Sequence, residues 1–373
     1  MLGIILGVSS LVAMSALVSG MEKGAREALI AIGGLEKIRV EAQEIPVEQR
    51  HLSDEAVGIT INDVYALEHS APLVTALSPE MQLYATFSAK GKRFRPWNCL
   101  GVWPVAADLN EHVVQYGRML TQVDDDMARS VCVIGTATRD ALWGSPEQIG
   151  HEIIPIGETV FINGVPFTIV GMFQYYESER DHKMRELARS QGAQGNAVKR
   201  NRGSGGHSSG GGAFAFKNQT VYLPLNTVWM KFRSGATWAA INSAGGTSST
   251  STGATGDPRL SGLELKIKSI DFLPEALQQI QNVLMFTHHG IEDFTFRTQE
   301  DWAEQIKTFV HNARLSGGLI AGISLLVGGI GIMNIMLASI SERVREIGIR
   351  KSVGAATLDI FVQILIESVA IAV

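Results

Sequence analysis

Apolar and polar positions divide this chain into long blocks. The stretches 1–20 and 315–340 are apolar and contain no charged side chain, and a third stretch, 356–373, is apolar from Ile360 onwards. About 20 apolar residues are enough for a helix to cross the hydrocarbon core of a bilayer. Backbone polar groups have no water partner in lipid, so each stretch is expected to be helical. The pattern therefore predicts a membrane protein with several spans.

A secretory signal peptide is the competing interpretation of stretch 1–20. Such a peptide needs a basic region and a small-residue cleavage site, and no basic residue precedes Leu2. We therefore interpret the stretch as the first transmembrane helix. Small residues four apart let membrane helices approach closely. That spacing marks four candidate packing positions, Gly3, Gly7, Gly318 and Gly322.

A short charged segment, 341–355, separates the second apolar stretch from the third. Its acidic and basic side chains recur on a helical period. Basic residues beside a span favour the cytoplasm, and this segment holds the densest basic cluster next to any span. The sequence therefore predicts a short cytoplasmic helix here, with the polar segment 21–314 outside the cytoplasm.

In the polar segment, apolar positions recur with both strand and helix periods. This pattern predicts an α+β extracytoplasmic domain inserted between transmembrane helices. We expect a helix from Thr60 with Asp63 in its first turn, and a tight hairpin at Asn163-Gly164. Further expected elements are strands 37–42, 130–134, 221–223, 263–268 and 293–297, a hairpin around 90–92, and helices 108–117, 136–143, 273–287 and 300–314, the last continuing into the second span.

Two parts of this domain show no clear helix or strand pattern over most of their length. The stretches 177–217 and 234–257 are rich in Gly and Ser and poor in large apolar residues, although the first opens with a charged helical run. Too little apolar surface is available there to offset the entropy of ordering. We expect both to be mobile loops.

Composition narrows the function classes. A mean hydropathy of +0.12 is high for a soluble enzyme. The net charge of -5 gives no concentrated basic surface for a nucleic acid. The two cysteines, Cys99 and Cys132, are too few for a metal site or a disulfide framework. Buried free thiols are favoured over a disulfide between them.

An extracytoplasmic enzyme is one alternative. Its candidate residues are His207, the pair His288-His289 and the acids Asp124-Asp125-Asp126. Adjacent histidines point in different directions rather than at one metal, and the three aspartates are expected in a solvated loop. No catalytic residue and no metal site is predicted.

Several runs resemble a known family. They are 1–8 (MLGIILGV), 161–171 (FINGVPFTIVG), 221–227 (VYLPLNT), 289–294 (HGIEDF), 328–336 (GGIGIMNIM) and 342–355 (ERVREIGIRKSVGA). Together they resemble the FtsX-like permeases of MacB-type ABC transporters, with a MacB-like periplasmic core domain. Family members have four spans, and this chain ends within what would be the third, so we expect it to be truncated at the C-terminus.

The resemblance implies a function in the inner membrane. The permease would pass ATP-driven motion from a cytoplasmic ABC ATPase to the periplasmic domain, for export or efflux. It implies a second permease copy and a periplasmic adaptor as partners, membrane lipid around the spans, and ATP bound by the ATPase rather than by this chain, which has no Walker motif. The expected ATPase-docking residues of the coupling helix are Glu342, Arg343, Arg345, Glu346, Ile347, Ile349, Arg350 and Lys351.

A transmembrane sensor with a periplasmic ligand-binding domain is the second hypothesis. A sensor would continue from its last span into a cytoplasmic coiled coil with sustained heptads. Here the chain returns to apolar sequence at Ile360, which favours the permease. Gln363 and Glu367 lie four apart on that last stretch. A contact with another span and snorkelling towards the membrane surface both remain open for them.

Overall fold

The computed structural model describes residues 2–31, 33–190, 211–233 and 259–372. The chain separates into two compact units. One comprises Met1–Lys23 with Glu304–Val373, and the other comprises Gly24–Ala303. We call them the membrane unit and the outer unit and describe each by itself.

The described residues form a twelve-stranded sheet in the outer unit, in the order β12-β1-β11-β2-β5-β10-β7-β9-β8-β3-β4, with β6 paired to β9. Two of its pairings are parallel, β5 with β10 and β7 with β9. The strands are β1 Lys37–Ala42, β2 Val74–Gln82, β3 Phe87–Ala89, β4 Lys92–Phe94, β5 Asn98–Val102, β6 Val114–Gly117, β7 Val131–Ile134, β8 Thr159–Ile162, β9 Val165–Phe173, β10 Thr220–Pro224, β11 Gly262–Ile267 and β12 Phe294–Thr298.

Helices cover the sheet and form the membrane unit. The longest, Gln299–Glu342, runs without a break from the polar segment through the second apolar stretch, as predicted. The helices are α1 Leu2–Ala31, α2 Ile61–Ser70, α3 Ala106–Leu109, α4 Gln122–Asp126, α5 Thr136–Leu142, α6 Pro146–Ile149, α7 Glu179–Ser190, α8 Gly211–Gln219, α9 Leu225–Val228, α10 Leu273–Thr287, α11 Gln299–Glu342, α12 Val344–Ser352 and α13 Thr357–Ala372.

Strand alternation gives the two faces of the sheet different chemistry. On β1, Ile38 and Val40 are buried in the main hydrophobic core, which α2 and α10 help to form. Lys37 and Arg39 alternate with them and therefore lie on the opposite face. A smaller apolar cluster that includes Tyr222 occupies part of this second face.

Two local predictions from sequence are confirmed. The Asp63 carboxylate accepts a hydrogen bond from the Thr60 backbone N–H at 2.7 Å, which fixes the start of α2. Asn163 and Gly164 connect β8 to β9 with φ values of 47° and 86°. Positive φ at both central residues is what a two-residue hairpin turn of this twist requires.

Other predictions need correction. The sequence did not predict β2, β5 or β6, and the expected helix 108–117 is instead the short α3 followed by strand β6. The expected loop 177–217 contains helix α7 and most of α8. The rest of that loop, 191–210, and all of the loop 234–257 lie outside the described residues.

The two cysteines are buried free thiols, as favoured by the sequence. Cys99 lies on β5 and Cys132 on β7, and β10 runs between these strands. Two strand spacings amount to roughly 9–10 Å, whereas a disulfide needs Cα atoms closer than about 7 Å. Burial also raises the pKa of both thiols, so neither is expected to be reactive.

In the membrane unit, α1 packs against α11. A Cβ added at Gly317 would meet the Met14 side chain at 2.5 Å, so the small residue at this contact is Gly317. Gly318 and Gly322, the predicted packing positions on α11, have no atom within 4 Å of an added Cβ. Gly3 and Gly7 lie within α1, and their packing is outside what the structure describes.

The close approach of β6 and β9 yields a stability prediction. A Cβ at Gly171 would lie 2.2 Å from the Arg118 carbonyl oxygen. Backbone cannot move aside as a side chain can, so we expect Gly171→Ala to cost about 3 kcal/mol of unfolding free energy. Thermal unfolding of the purified chain, followed by tryptophan fluorescence, measures this because all six tryptophans lie between positions 97 and 302.

Gly164→Ala is the matched control. Gly164 has a φ of 86°, unlike Gly171, and nothing lies within 4 Å of a Cβ added to it. Only left-handed strain remains there, about 1 kcal/mol. Equal losses for the two variants would contradict a steric origin at Gly171.

Candidate functional site

The charged segment folds as predicted into a short helix of its own. Helix α12 begins at Val344, directly after Arg343, whose φ of -102° and ψ of 11° interrupt the helix from α11. It ends before Gly354, which has a φ of 106°, a conformation that glycine adopts without a steric penalty. The apolar helix α13 follows from Thr357. A charged nine-residue helix thus lies between two apolar ones.

The side chains of α12 are exposed with one exception. Ile347 is half-buried, while Ile349 is 57% exposed. The two isoleucines are two residues apart, which places them on nearly opposite sides of a helix. Ile349 instead shares a side with Arg345 and Val353, four residues before and after it. A single apolar groove on a docking partner would therefore contact Ile349 and Val353 together, and not Ile347.

Within the same unit, Arg350 is held by the next helix. Its guanidinium donates a hydrogen bond of 2.8 Å to the Gln363 side-chain oxygen of α13. This bond gives Gln363 a role that the sequence left open. Glu367 lies within α13, and its side chain is outside what the structure describes.

The histidine pair of the outer unit separates as expected. His289 is exposed, with a φ of 54°. His288 is buried between two carboxylates. Its Nδ1 contacts Asp293 Oδ1 and its Nε2 lies 3.3 Å from Asp63 Oδ2. Asp293 also accepts a hydrogen bond from the Gly58 N–H at 2.9 Å, so the cluster joins α2, the end of α10 and the start of β12.

The pKa values of His288 and Asp63 are shifted by their mutual contacts. Burial acts to lower the pKa of His288, but its bonds with Asp63 and Asp293 outweigh that and raise it. Burial acts to raise the pKa of Asp63, and the hydrogen bonds from His288 and Thr287 instead hold it below its usual range. The group is a buried cluster that links α2, the end of α10 and the start of β12.

The aspartate run is not a solvated loop. Asp124 and Asp125 are buried on α4, and only Asp126 is exposed. The Arg118 guanidinium bonds Asp124 at 2.6 Å and holds the pKa of that carboxyl at about 2. Asp125 accepts the Asn226 backbone N–H at 2.8 Å. The expectation was wrong because these carboxylates cap and pair local groups, which a run of acids does not reveal.

The described residues contain no group of three or more His, Cys, Asp or Glu side chains placed to hold a metal ion. His207, the remaining candidate, lies outside the described residues. Among the residues that the structure describes, one helical segment is long and apolar enough to span a membrane, Ala303–Glu342, with a mean hydropathy of 2.1.

Two protein-family models match this chain. The model of the MacB-like periplasmic core domain matches residues 1–255, and that of the FtsX-like permease C-terminal region matches residues 318–373. A macrolide export ATP-binding/permease protein MacB from Aggregatibacter actinomycetemcomitans is 26% identical over 372 residues, which is all of this chain and 47% of that protein. The chain thus spans about half the length of such relatives.

Other relatives are similar over a larger share of their length. The uncharacterized ABC transporter permease YknZ from Bacillus subtilis (strain 168) is 27% identical, covering 99% of this chain and 76% of that protein. The crystal structure of the periplasmic region of MacB from Actinobacillus actinomycetemcomitans aligns at 17% identity with a TM-score of 0.48, over 76% of this chain and 97% of that one.

The His288 triad predicts a pH-dependent stability. The raised pKa of His288 means that its contribution is complete below the ordinary value of 6.5 and is lost as pH rises through the folded value. The lowered pKa of Asp63 means that its contribution is complete above 3.8 and is lost as pH falls through the folded value. Between pH 3.8 and pH 6.5 we expect His288→Gln to lower the free energy of unfolding by about 3 kcal/mol. At higher pH the loss should be smaller.

Thermal unfolding across this pH range measures the difference. His289→Asn is the matched control, since asparagine tolerates the left-handed backbone and the side chain is exposed. A loss for His288→Gln that stays constant up to alkaline pH would show that the histidine is neutral in the folded state.

Proposed function

The chain belongs to the family of the MacB-like periplasmic core domain, and from that premise we propose that it is the permease region of an ABC transporter that transmits ATP-driven motion from a cytoplasmic ATPase to the outer unit for export. One observation carries this proposal. Helix α12 is charged, exposed and placed between the apolar helices α11 and α13. A topology signal alone would need neither Glu342 and Glu346 nor a separate helix.

The long helices support a mechanical role. Both α1 and α11 pass without a break from an apolar stretch into the polar segment. A helix is stiff along its axis because each turn is hydrogen-bonded to the next. A shift imposed on α11 at its Glu342 end can therefore be transmitted along the helix.

Partners and location follow from the same proposal. ATP is bound and hydrolysed by the ATPase, and this chain contributes no catalytic residue. A second permease copy, a periplasmic adaptor and membrane lipid are further proposed partners. Gly318 and Gly322, with no atom within 4 Å of an added Cβ, are proposed to contact such a copy, as are Gly3 and Gly7 on α1. The chain is placed in the inner membrane, with 21–314 periplasmic. A sensor is less favoured, because the apolar helix α13 follows α12 directly.

Topology is directly testable with single cysteines. We expect a membrane-impermeant thiol reagent to label Ser53→Cys, in the outer unit, in cells whose cytoplasmic membrane is intact. Ser341→Cys should be labelled only after permeabilisation. Both serines are exposed, and the unsubstituted chain is the control because Cys99 and Cys132 are buried. Labelling of Ser341→Cys but not Ser53→Cys in intact cells would reverse the topology.

Docking on α12 is testable by co-purification of the ATPase. Ile349→Asp places a carboxylate in an apolar contact, at a desolvation cost of a few kcal/mol. Arg345→Glu reverses a charge on the same side of the helix, which also costs several kcal/mol in a docking rim. We expect at least about a tenfold loss of ATPase retained on the solubilised permease for either variant.

The control variants carry the same types of substitution at exposed positions of the outer unit. Val47→Asp and Lys92→Glu make the same changes at exposed positions far from α12 in sequence and should retain the ATPase. Retention by all four variants would show that α12 does not dock the ATPase.

A further inference from the structure

The two long helices are joined to the strands of the outer unit in different ways. Strand β12 ends at Thr298 and α11 begins at Gln299, so no residue separates them. Helix α1 ends at Ala31, and residues 32–36 separate it from β1, which begins at Lys37. A displacement of α11 therefore reaches β12 directly through the backbone, whereas a displacement of α1 has to pass through a link.

The described part of this link contains two adjacent glycines. Gly33 and Gly34 have φ values of 109° and 75°. Their N–H groups donate to the Ile30 and Leu29 carbonyls at 3.2 and 3.1 Å and so end the helix. Glycine has no Cβ and adopts more backbone conformations than any other residue. The link by itself therefore transmits little of a force that acts along the axis of α1.

A lysine side chain bridges the end of α1 to other parts of the outer unit. The Lys217 ammonium donates to the Ala31 carbonyl at 2.8 Å and to the Glu111 carbonyl at 2.6 Å, and it lies 4.0 Å from the centre of the Tyr176 ring. The final carbonyls of a helix lack partners within the helix and attract a cation. The side chain is 3% exposed. These contacts fix the last residue of α1 against two other segments.

Neighbouring residues hold Lys217 itself in place. It lies near the end of α8, and β10 begins at Thr220. Asn218 donates to the Tyr176 carbonyl at 2.7 Å and accepts the Tyr176 N–H at 2.9 Å. The Tyr176 hydroxyl accepts the N–H of Val113, directly before β6, at 2.6 Å. The lysine therefore connects α1 to β10 in the middle of the sheet and to β6, and not to the edge strand β12.

The other described contacts at this end of α1 are of a different kind. Ala28 and Leu29 are buried, and apolar packing has no preferred direction. The Glu27 carboxylate accepts the Glu179 N–H at 3.3 Å in an exposed position, where water competes for both groups. A short hydrogen bond from a buried ammonium fixes both distance and direction. Among these contacts, that of Lys217 is the one suited to carry a displacement along the helix axis.

The charge of Lys217 does not explain its position by stability. Burial lowers the pKa of Lys217 to about 8, and the ammonium form predominates near pH 7. A lowered pKa means that the charged form is less favourable in the folded chain than in the unfolded chain. We therefore expect Lys217→Met to fold, and we attribute the position of the lysine to the contacts that its ammonium makes.

We propose that Lys217 is the residue that couples α1 to the centre of the sheet, so that the outer unit receives motion at two places. One input passes from α1 through Lys217 to β10 and β6, and the other passes from α11 through the backbone to β12. This inference rests on the proposed function for the source of the motion. It adds the positioning residue by which one of the two helices moves the outer unit.

Hydrogen exchange of the full chain in lipid nanodiscs, measured by mass spectrometry, tests the contact without an ATPase. We expect Lys217→Met to raise the exchange rate of the amides of Ala28–Ala31 at least about tenfold. A hydrogen bond from a charged group contributes at least about 1.4 kcal/mol, which corresponds to a factor of about ten. The first turn of α11 should exchange as in the parent chain, because the backbone joins it directly to β12.

Lys268→Met is the matched control, since it makes the same substitution at an exposed position and should exchange like the parent chain. Unchanged exchange of strands β1, β7 and β10 in Lys217→Met shows that the variant is folded. Exchange at the end of α1 that equals the parent rate in Lys217→Met would overturn the proposal.

Lys217→Arg separates the hydrogen-bond donor from the packing of the side chain. Arginine keeps a charged donor, and Lys217 borders a cavity into which the longer side chain can extend. We expect exchange at the end of α1 within about threefold of the parent rate. Exchange as fast as in Lys217→Met would attribute the effect to packing and would contradict the role of the ammonium.

Exchange in the complex with the ATPase tests the coupling itself. In the parent chain we expect ATP, compared with ADP, to change exchange in both β6 and β12. In Lys217→Met the change in β12 should remain and the change in β6 should be lost, while the ATPase is retained as in the parent. A change in β6 that persists in Lys217→Met would overturn the role of Lys217. No change in either strand of the parent would instead overturn the proposed function, and with it the route assigned to Lys217.

Discussion

The row of charges on the second face of the sheet is the constraint on which the outer unit depends. On strand β1, Ile38 and Val40 are buried in the main core, and Lys37 and Arg39 lie on the opposite face of the sheet. A buried cation is stable only when it is paired and hydrogen-bonded. The neighbouring strands β11 and β2 supply Glu264 and Glu80 at the matching positions. A register shift of one residue would move the charged side chains of β1 into the apolar core and its apolar side chains to the charged face. The ion pairs and the core therefore specify the same register.

Local chemistry was readable from the sequence. The Thr60–Asp63 cap and the Asn163-Gly164 turn each act within a few residues, so the side chains that determine them are adjacent in the chain. The uncharged stretch 315–340 and the charged helix after it were equally clear. Strands β2 and β5 were missed because they are central in the sheet and carry buried polar residues such as Glu80 and Asn98, which break the expected alternation of apolar and polar positions.

The partners of buried polar groups could not be predicted in the same way. His288 depends on Asp63, which is 225 positions away, and Lys37 on Glu264, at a similar separation. Nothing in the spacing of such residues identifies the pair until the strands and helices are placed. Asp125 was misjudged for this reason, since its partner Asn226 is 101 positions away, whereas Asp124 pairs with Arg118, only six positions away. Helix faces are different: the separation of Ile347 from Ile349 follows from helical geometry alone.

Lys217 links two features of the outer unit that the sequence keeps apart. Its ammonium donates to the Ala31 carbonyl at 2.8 Å and to the Glu111 carbonyl at 2.6 Å. Ala31 is the last residue of α1, where the carbonyls lack helical partners and attract a cation. Lys217 also lines a cavity of about 460 Å³ on the second face of the sheet, beside Lys37 and Arg39, so the C-terminal end of α1 and this cavity share one side chain.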